Sequence, residues 1–424
     1  MARRIFLGFM LAVMATLAGW AQMEQVANDT TALLGSWVGK LEIGPSSLTL
    51  VLRLEKGDGY IKCTLDSPDQ GANELDCYKH KLTDDAISIS VPVVGASYTA
   101  QLEDGKLVGT FSQSGIDLPL TMTRGEYKPN RPQTPTEPYP YKTEEVSFFN
   151  AKDNSTLVGT LTYPIGYERL KDVPVVIMIS GSGLQNRDEE LFSHKPFLVI
   201  ADHLARHGIA SLRYDDRAYG ASTGGDRIHN KATTLDYKRD AEAGVAYLRS
   251  LKRFGKVGAL GHSEGGNIVF MLGADKVVDF IISMAGVGVR GDVALTAQYN
   301  QVMKLQGIPY EITVAQYREN AKSVQSDWMD WFIDYDPTSD IAATICPVMA
   351  INGDKDCQVI SSLNIPAIEH SLSHNDSSLI KEYPSLNHLF QRCKTGNTTE
   401  YNLIEETIAP EVLQDIAEWI GGLK

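Results

Sequence analysis

Hydrophobic and polar residues follow two different patterns along the chain. Between residues 30 and 126, short segments alternate apolar with polar side chains, as in residues 48–54, 87–91 and 118–122. Turn-forming residues such as Asp104-Gly105 separate them. Alternation between turns is typical of antiparallel strands with one buried face. We therefore predict a small antiparallel all-β domain over residues 30–126.

A proline-rich segment follows this domain. Residues 128–140 contain five prolines, and proline neither donates to a β ladder nor continues a helix. Such a composition is typical of a semi-rigid spacer. We predict that residues 127–143 form a linker.

From residue 144 onward, apolar strand-like runs alternate with helical segments. Residues 173–179 and 279–285 are strand-like, whereas residues 196–207 and 234–251 have the length and pattern of helices. This alternation predicts a mostly parallel sheet flanked by helices, which is the α/β class. The predicted domain spans residues 144–424, with a helical cap at about 287–340.

Four aromatic residues in the predicted cap follow helical spacing. They are Trp328, Trp331, Phe332 and Tyr335. Such a stripe is typical of core packing, and in a cap it could also serve as a platform for substrate. The sequence leaves both roles open.

The amino terminus has the pattern of a signal peptide. Arg3 and Arg4 precede an apolar run over residues 5–17, and small residues follow at Gly19 and Ala21. A retained membrane anchor is the alternative, but the run is shorter than the roughly 20 apolar residues that cross a bilayer. We predict that residues 1–21 are removed. The mature protein is then expected to be soluble, without stable membrane insertion, and exported to the periplasm or the extracellular space.

Composition and charge narrow the possible partners. The chain has 424 residues, 43% of them hydrophobic and 22% charged, which is typical of a globular protein and excludes a disordered or collagen-like chain. Its formal net charge of −14 repels phosphate backbones. We expect no nucleic-acid partner, and composition does not indicate the oligomeric state.

Five cysteines are present, so at least one stays unpaired if the others form bridges within the chain. The pairs Cys63 with Cys77 and Cys357 with Cys393 are possible, although pairing cannot be deduced from sequence. Cys346 lies in an apolar run that predicts a buried strand, where cysteine behaves as a small hydrophobic residue.

One motif carries recognisable chemistry. Residues 261–265 read Gly-His-Ser-Glu-Gly, which matches G-x-S-x-G. A strand-like run over residues 256–260 precedes the motif, and a helix-compatible run over residues 267–272 follows it. In this context a sharp strand-to-helix turn exposes the serine hydroxyl. We predict that Ser263 is a nucleophile, with an ordinary tight turn as the alternative.

A nucleophilic serine needs a base, and the base needs an acid that orients it. In strand-to-helix elbow folds both follow the serine, acid first. The loop after the strand that ends at Ile351 offers Asp356, which we favour, and Asp354, which remains the alternative.

Three histidines follow that loop. His388 lies in a loop after the extended run 379–383 and is the predicted base. His370 and His374 lie in a polar stretch, where we expect them to be exposed. His262, beside the nucleophile, is expected to have a structural role.

The oxyanion formed during serine attack requires backbone N–H donors. We assign one to Glu264 and the other to Ser182, in the small-residue loop 180–183. A phosphate-cradling loop is the alternative, but the Lys and Ser/Thr of a P-loop are absent. The predicted chemistry requires no metal ion and no cofactor.

Several segments in one order resemble the α/β-hydrolase superfamily over residues 146–420, and specifically the secreted bacterial two-domain serine esterases with an N-terminal β domain. The segments are Leu157-Val158-Gly159-Thr160-Leu161, Gly181-Ser182-Gly183 with Arg187-Asp188, Arg213-Tyr214-Asp215-Asp216-Arg217, the Ser263 motif, residues 352–359 and Asn387-His388-Leu389-Phe390. The resemblance implies hydrolysis of carboxylic esters, on small molecules or glycans, through a Ser-His-Asp triad and an acyl-enzyme. Residues 214–217 could bind substrate or brace the surrounding loops as paired charges.

Three other functions fit parts of the pattern. A serine peptidase of prolyl-oligopeptidase type would use the same triad, but the β domain is too short for a propeller and no Glu-Glu amine clamp is evident. An acyl-CoA thioesterase would find little substrate outside the cell. A non-catalytic module that binds a glycan or cell-surface polymer through the β domain belongs to a different class.

Overall fold

The structure, a computed structural model, describes residues 31–43, 46–57, 60–70, 72–228 and 231–423. The chain separates into two compact units, Met1–Asn130 and Arg131–Lys424. The predicted signal peptide lies outside the described residues. No helix in the described ranges is both long and apolar enough to cross a membrane.

The described part of the first unit is an all-antiparallel sheet in the order β4-β3-β2-β1-β9-β8-β7-β6-β5. Its strands are β1 (Gly35–Ile43), β2 (Ser46–Lys56), β3 (Ile61–Ser67), β4 (Ala72–Asp76), β5 (Tyr78–Leu82), β6 (Ala86–Val91), β7 (Ala96–Glu103), β8 (Lys106–Gln113) and β9 (Ile116–Arg124). The two edge strands, β4 and β5, are consecutive in sequence, so the sheet curls until it is nearly closed. Its inner face is apolar and includes the fully buried Trp37 and Tyr98.

The second unit contains an eight-stranded mixed sheet in the order β10-β11-β13-β12-β14-β15-β16-β17. Its strands are β10 (Thr143–Asn150), β11 (Ser155–Thr162), β12 (Val175–Ile179), β13 (Ala210–Tyr214), β14 (Val257–His262), β15 (Phe280–Met284), β16 (Val348–Gly353) and β17 (Ser378–Tyr383). The β10–β11 and β11–β13 pairs are antiparallel, and the remaining pairs, from β13 to β17, are parallel. The predicted α/β class is therefore confirmed.

Helices cover both faces of this sheet. They are α1 (Pro196–Arg206), α2 (Thr234–Ser250), α3 (Glu264–Ala274), α4 (Gly291–Leu305), α5 (Val314–Ala321), α6 (Asp327–Phe332), α7 (Thr338–Ala343), α8 (Ser361–Ser371) and α9 (Pro410–Gly422). α1 and α9 bury their apolar stripes on one face, while α2, α3 and α8 pack on the other. The strands in between are buried on both faces, which explains why they read as continuous apolar runs.

The segment between β15 and β16 contains the four helices α4 to α7. The aromatic stripe on and after α6 packs on itself. Trp328 stacks on Phe332 with ring centroids 4.8 Å apart, and Trp331 stacks on Tyr335 at 4.7 Å. These contacts account for the helical spacing of the four aromatic residues.

Part of the proline-rich segment is bound to the second unit. The Arg131 guanidinium donates to the carbonyl oxygens of Asn402 at 2.8 Å and Ile404 at 3.1 Å. The Gln133 amide donates to the Ile408 carbonyl at 2.7 Å. From Arg131 onward, these hydrogen bonds fix the predicted linker to the second unit.

All five cysteines are unbonded thiols in the structure. Cys63 and Cys77 are nevertheless neighbours, because the Cys77 amide donates to the Cys63 carbonyl at 3.0 Å and the two thiols hydrogen-bond. The Cys393 thiol contacts the Ser385 carbonyl. Cys346 is half-buried and precedes β16, which begins at Val348, so it lies outside the strand in which the sequence placed it.

Candidate active site

Ser263 lies in the turn between β14 and α3, with φ 54° and ψ −117°. A positive φ is rare for a residue with a side chain, and such strain persists only where the surroundings enforce it. Its amide donates to the Met284 carbonyl at 2.8 Å, which ties the turn to β15. The strand, the turn and the helix all occur where the G-x-S-x-G motif predicts them.

The glycines of the motif are required by close backbone contacts. A Cβ atom on Gly261 would lie 2.0 Å from the Gly265 carbonyl oxygen, and one on Gly265 would lie 2.1 Å from that of Ile179. Neither distance is possible for real atoms. The two positions therefore let α3 begin directly against the sheet, which forces the sharp turn at Ser263.

The structure joins His388 to Asp356. The His388 Nδ1 atom lies 2.7 Å from Asp356 Oδ2, and both side chains are buried. The other carboxylate oxygen of Asp356 accepts the amides of Gln358 at 2.7 Å and Val359 at 2.8 Å. Both oxygens of the Asp356 carboxylate are therefore hydrogen-bonded, and the fixed carboxylate sets the orientation of the His388 imidazole.

The alternative candidates lie elsewhere. Asp354 accepts the Ser385 amide at 2.6 Å, so its carboxylate supports the histidine loop and does not contact the His388 ring. His370 and His374 are exposed. The three predicted catalytic residues follow β14, β16 and β17, which are parallel and end at the same edge of the sheet.

The loop after β12 passes directly beside the nucleophile. A Cβ atom on Gly181 would lie 3.2 Å from Ser263 Cβ. The Gly181 amide is already bound to Glu189 at 2.8 Å, which leaves the next amide, that of Ser182, as the candidate oxyanion donor. Glu264 is the first residue of α3, where a backbone N–H has no partner within the helix. Both predicted donors therefore lie in backbone positions suited to the role.

The carboxyl group of Glu264 is buried beneath this loop. It accepts hydrogen bonds from the Thr234 hydroxyl at 2.6 Å and the Trp328 indole at 2.9 Å, and the Ser182 hydroxyl also bonds to it. Burial raises the pKa of Glu264, and these three donors offset part of the increase. One side chain thus connects the nucleophile turn, the candidate oxyanion loop and the cap.

The charged residues after β13 are paired with other protein groups. Arg217 is fully buried and bonds to Asp240 at 2.7 Å and to Asp153 at 2.9 Å. Asp215 accepts two guanidinium bonds from Arg187, at 3.1 and 2.9 Å. These bonds brace the loops around the site. The sequence left two roles open for residues 214–217, substrate binding and bracing, and the observed bonds correspond to bracing.

The order of Ser263, Asp356 and His388 along one edge of a mainly parallel sheet, combined with a strained serine between strand and helix, decides the fold. The chain has the α/β-hydrolase fold. The small β unit precedes this fold in the chain, and α4 to α7 lie between β15 and β16, where the sequence predicts a helical cap.

Comparisons with known proteins find esterases among the chains similar to this one. Esterase EstD of Thermotoga maritima is 23% identical over 294 residues, which cover 64% of this chain and 68% of EstD. The Pyrococcus furiosus esterase Pf2001 covers 70% of this chain and 98% of its own, with 17% identity and a TM-score of 0.47. Est1E of Butyrivibrio proteoclasticus, solved with ferulic acid bound, covers 63% and 94%, with 17% identity and a TM-score of 0.45. No protein-family model matches the chain.

Two features of this α/β-hydrolase site were not found from sequence. One is Glu189, whose carboxylate contacts both Gly181 and His262. The other is the bond between Glu264 and Trp328. The Glu189–His262 and Glu264–Trp328 bonds each join residues that are more than 60 positions apart, and the only local signal was the position of Glu189 directly after Arg187-Asp188.

Proposed function

We propose that this protein hydrolyses carboxylic esters through an acyl-enzyme formed on Ser263. The observation that carries the proposal is the bond between His388 and Asp356, in a loop presented at the same sheet edge as the strained Ser263. The related esterases named above support an ester as the substrate class.

In the proposed mechanism, the Ser263 hydroxyl oxygen attacks the ester carbonyl carbon while His388 Nε2 takes the hydroxyl proton. Asp356 holds Nδ1–H and stabilises the imidazolium that forms. The amides of Ser182 and Glu264 donate to the oxyanion of the tetrahedral intermediate. Collapse breaks the ester C–O bond, and His388 gives its proton to the departing alcohol.

Deacylation repeats these steps with water. His388 takes a proton from water as its oxygen attacks the acyl carbon, and collapse returns that proton to the Ser263 oxygen. The products are a carboxylic acid and the free enzyme. Each step uses only side chains and amides of this chain.

Hydrolysis of a p-nitrophenyl ester series from acetate to palmitate tests this proposal, with Ser263→Ala as the matched variant. We expect turnover by the wild type and a loss of about 10³-fold or more in the variant. Equal rates in the two proteins would contradict the proposal. If no ester is turned over, peptide substrates and then glycan binding by the protein are the next assays.

A further inference from the structure

A buried acid–histidine pair lies behind the proposed triad and takes no part in the proton transfers described above. His262 Nδ1 lies 3.0 Å from Glu189 Oε1, and its Nε2 lies 2.9 Å from the His388 carbonyl oxygen. Both side chains are buried, with Glu189 only 2% exposed. A buried ionisable pair beside an active site needs a physical reason, because burial of charge is costly.

Hydrogen-bonding rules limit the protons that His262 can carry. The His388 carbonyl oxygen can only accept, so Nε2 carries a proton. Glu189 Oε1 also accepts the Gly181 amide at 2.8 Å, and a second proton on Nδ1 gives this oxygen another donor. A doubly protonated His262 satisfies both of its contacts. Burial alone would lower the pKa of His262, but the charge and hydrogen bond of Glu189 and the His388 carbonyl raise it.

The pair holds two parts of the proposed site at once. Through Glu189 it binds the Gly181 peptide, which lies beside Ser263 and immediately precedes the candidate oxyanion amide of Ser182. Through His262 it binds the backbone of His388, and the His262 and His388 rings lie 4.7 Å apart. The charged groups that face His262 are Glu189 and Asp356, both acidic, together with the ring of His388.

The backbone conformation of Glu189 is further evidence that its side chain holds neighbouring groups in place. Glu189 has φ 51°, which is uncommon for a residue with a side chain. The segment between the candidate oxyanion loop and α1 therefore adopts a strained conformation at the residue whose carboxylate contacts both Gly181 and His262. Strain of this kind persists where surrounding contacts over-determine it.

We propose that Glu189 and His262 are positioning residues that fix the candidate oxyanion loop and the His388 loop relative to Ser263, and so set the rate of the chemical step. The inference rests on the proposed ester hydrolysis. Neither side chain touches substrate in this account. Their contribution is to keep the amide donors and the base in place as charge develops in the transition state.

The isosteric change Glu189→Gln separates this role from simple packing. Without the carboxylate charge, His262 loses its counter-ion and becomes neutral, and a neutral imidazole has only one N–H. If the glutamine oxygen takes the place of Oε1, either that oxygen or the His388 carbonyl loses the His262 donor; if the glutamine NH2 takes that place, the Gly181 amide loses its acceptor. We expect kcat per titrated active site to fall about 10- to 100-fold, the effect of one lost hydrogen bond to a charged group, with KM changed less than about 3-fold.

A double-mutant cycle with His262→Gln tests whether the two residues act as a unit. If they do, Glu189→Gln/His262→Gln loses no more activity than the more affected single variant. Glu190→Gln is the matched control. Within the described part of the chain this exposed neighbour bonds to Asn186 and Lys195 and to neither Gly181 nor His262, so we expect wild-type kinetics.

Three results would overturn the inference. They are wild-type kcat in Glu189→Gln, a rise in KM with unchanged kcat, and a double variant in which the two losses multiply. Counting active sites by titration removes any contribution from misfolded protein.

The Ser263→Ala variant assayed in parallel keeps the two proposals separate. Activity of Ser263→Ala equal to that of wild type contradicts ester hydrolysis by Ser263, whereas a loss of about 10³-fold in Ser263→Ala beside a wild-type-like Glu189→Gln contradicts only the positioning role.

Discussion

The His388 imidazole and the Asp356 carboxylate are joined by a hydrogen bond of 2.7 Å between Nδ1 and Oδ2, and both groups are buried. Asp354, only two residues away, binds a backbone amide of the histidine loop. The two aspartates of one short loop therefore have different environments, and mutation can distinguish them.

We expect Asp356→Asn to lower kcat for a p-nitrophenyl ester by about 10³- to 10⁴-fold, because an amide in place of the acid favours the wrong histidine tautomer. The control is Asp354→Asn, which keeps an acceptor oxygen for the Ser385 amide and should stay within about 3-fold of wild type. The reverse ranking of the two variants would make Asp354 the acid.

The buried Arg217 is expected to dominate the stability of the loops after β13. Arg217→Met leaves the buried Asp240 without its cation partner and leaves Asp153 and Asp236 with the more exposed Arg239 and Arg227. Removing one partner of a buried ion pair costs about 3–5 kcal/mol, which urea denaturation can measure. Arg253→Met, at an exposed pair with Glu144, should change the free energy of unfolding far less, because solvent screens exposed ion pairs. Equal losses in the two variants would contradict the assignment of Arg217 as a buried brace.

Close packing at the turn around Ser263 predicts that one added methyl group strongly lowers the stability of the fold. In Gly265→Ala, the new Cβ would lie 2.1 Å from a backbone oxygen that cannot move without disturbing β12. We expect a loss of about 3 kcal/mol or more in thermal or urea unfolding. In Gly421→Ala, within α9, the Cβ meets nothing within 4 Å, and helix propensity predicts a gain of up to about 1 kcal/mol. A Gly265→Ala protein as stable as wild type would show that the turn is less tightly packed than described.

Glu264 should make stability depend on pH. Burial raises the pKa of its carboxyl group in the folded state, so the folded protein holds the proton more tightly than the unfolded chain does. The stabilising contribution is complete below the ordinary glutamate pKa of about 4.3 and is lost as pH rises through the higher folded value.

The variant Glu264→Gln carries no such proton and keeps an acceptor oxygen for Thr234 and Trp328. We expect its melting temperature to fall less than that of wild type as pH rises from 5 to about 8. Glu190→Gln, at an exposed position, should follow the wild-type curve. An unchanged slope in Glu264→Gln would contradict the assignment of the titration to this residue.

The sequence predicted those features of the fold and the site that depend on patterns of neighbouring residues. Continuous apolar runs predicted the parallel strands because both faces of those strands are buried, and the small residues around Ser263 predicted a sharp strand-to-helix turn. The preference for Asp356 over Asp354 came from its position three residues after Gly353, and the preference for His388 came from its place in the loop after the extended run 379–383. The structure brings these two side chains together, and the catalytic role of the triad remains for experiment to test.

What the sequence could not provide depends on contacts between distant segments. No local pattern predicts that Arg131 binds carbonyl groups some 270 residues away, or that His262 bonds to both Glu189 and the His388 backbone. Such pairs form only after the chain has folded. They explain why the proline-rich segment from Arg131 onward is bound to the second unit, and why the pKa of His262 is raised although the side chain is buried.

The most direct test of the account is labelling with a fluorophosphonate, which forms a covalent phosphonyl ester on an activated serine and stops there. The wild-type protein should lose esterase activity in proportion to labelling, reach one adduct per chain by intact mass, and carry it on the peptide that contains Ser263. Ser263→Ala should remain unlabelled. A stoichiometric adduct on another residue, or full labelling of Ser263→Ala, would contradict the claim that Ser263 is the nucleophile.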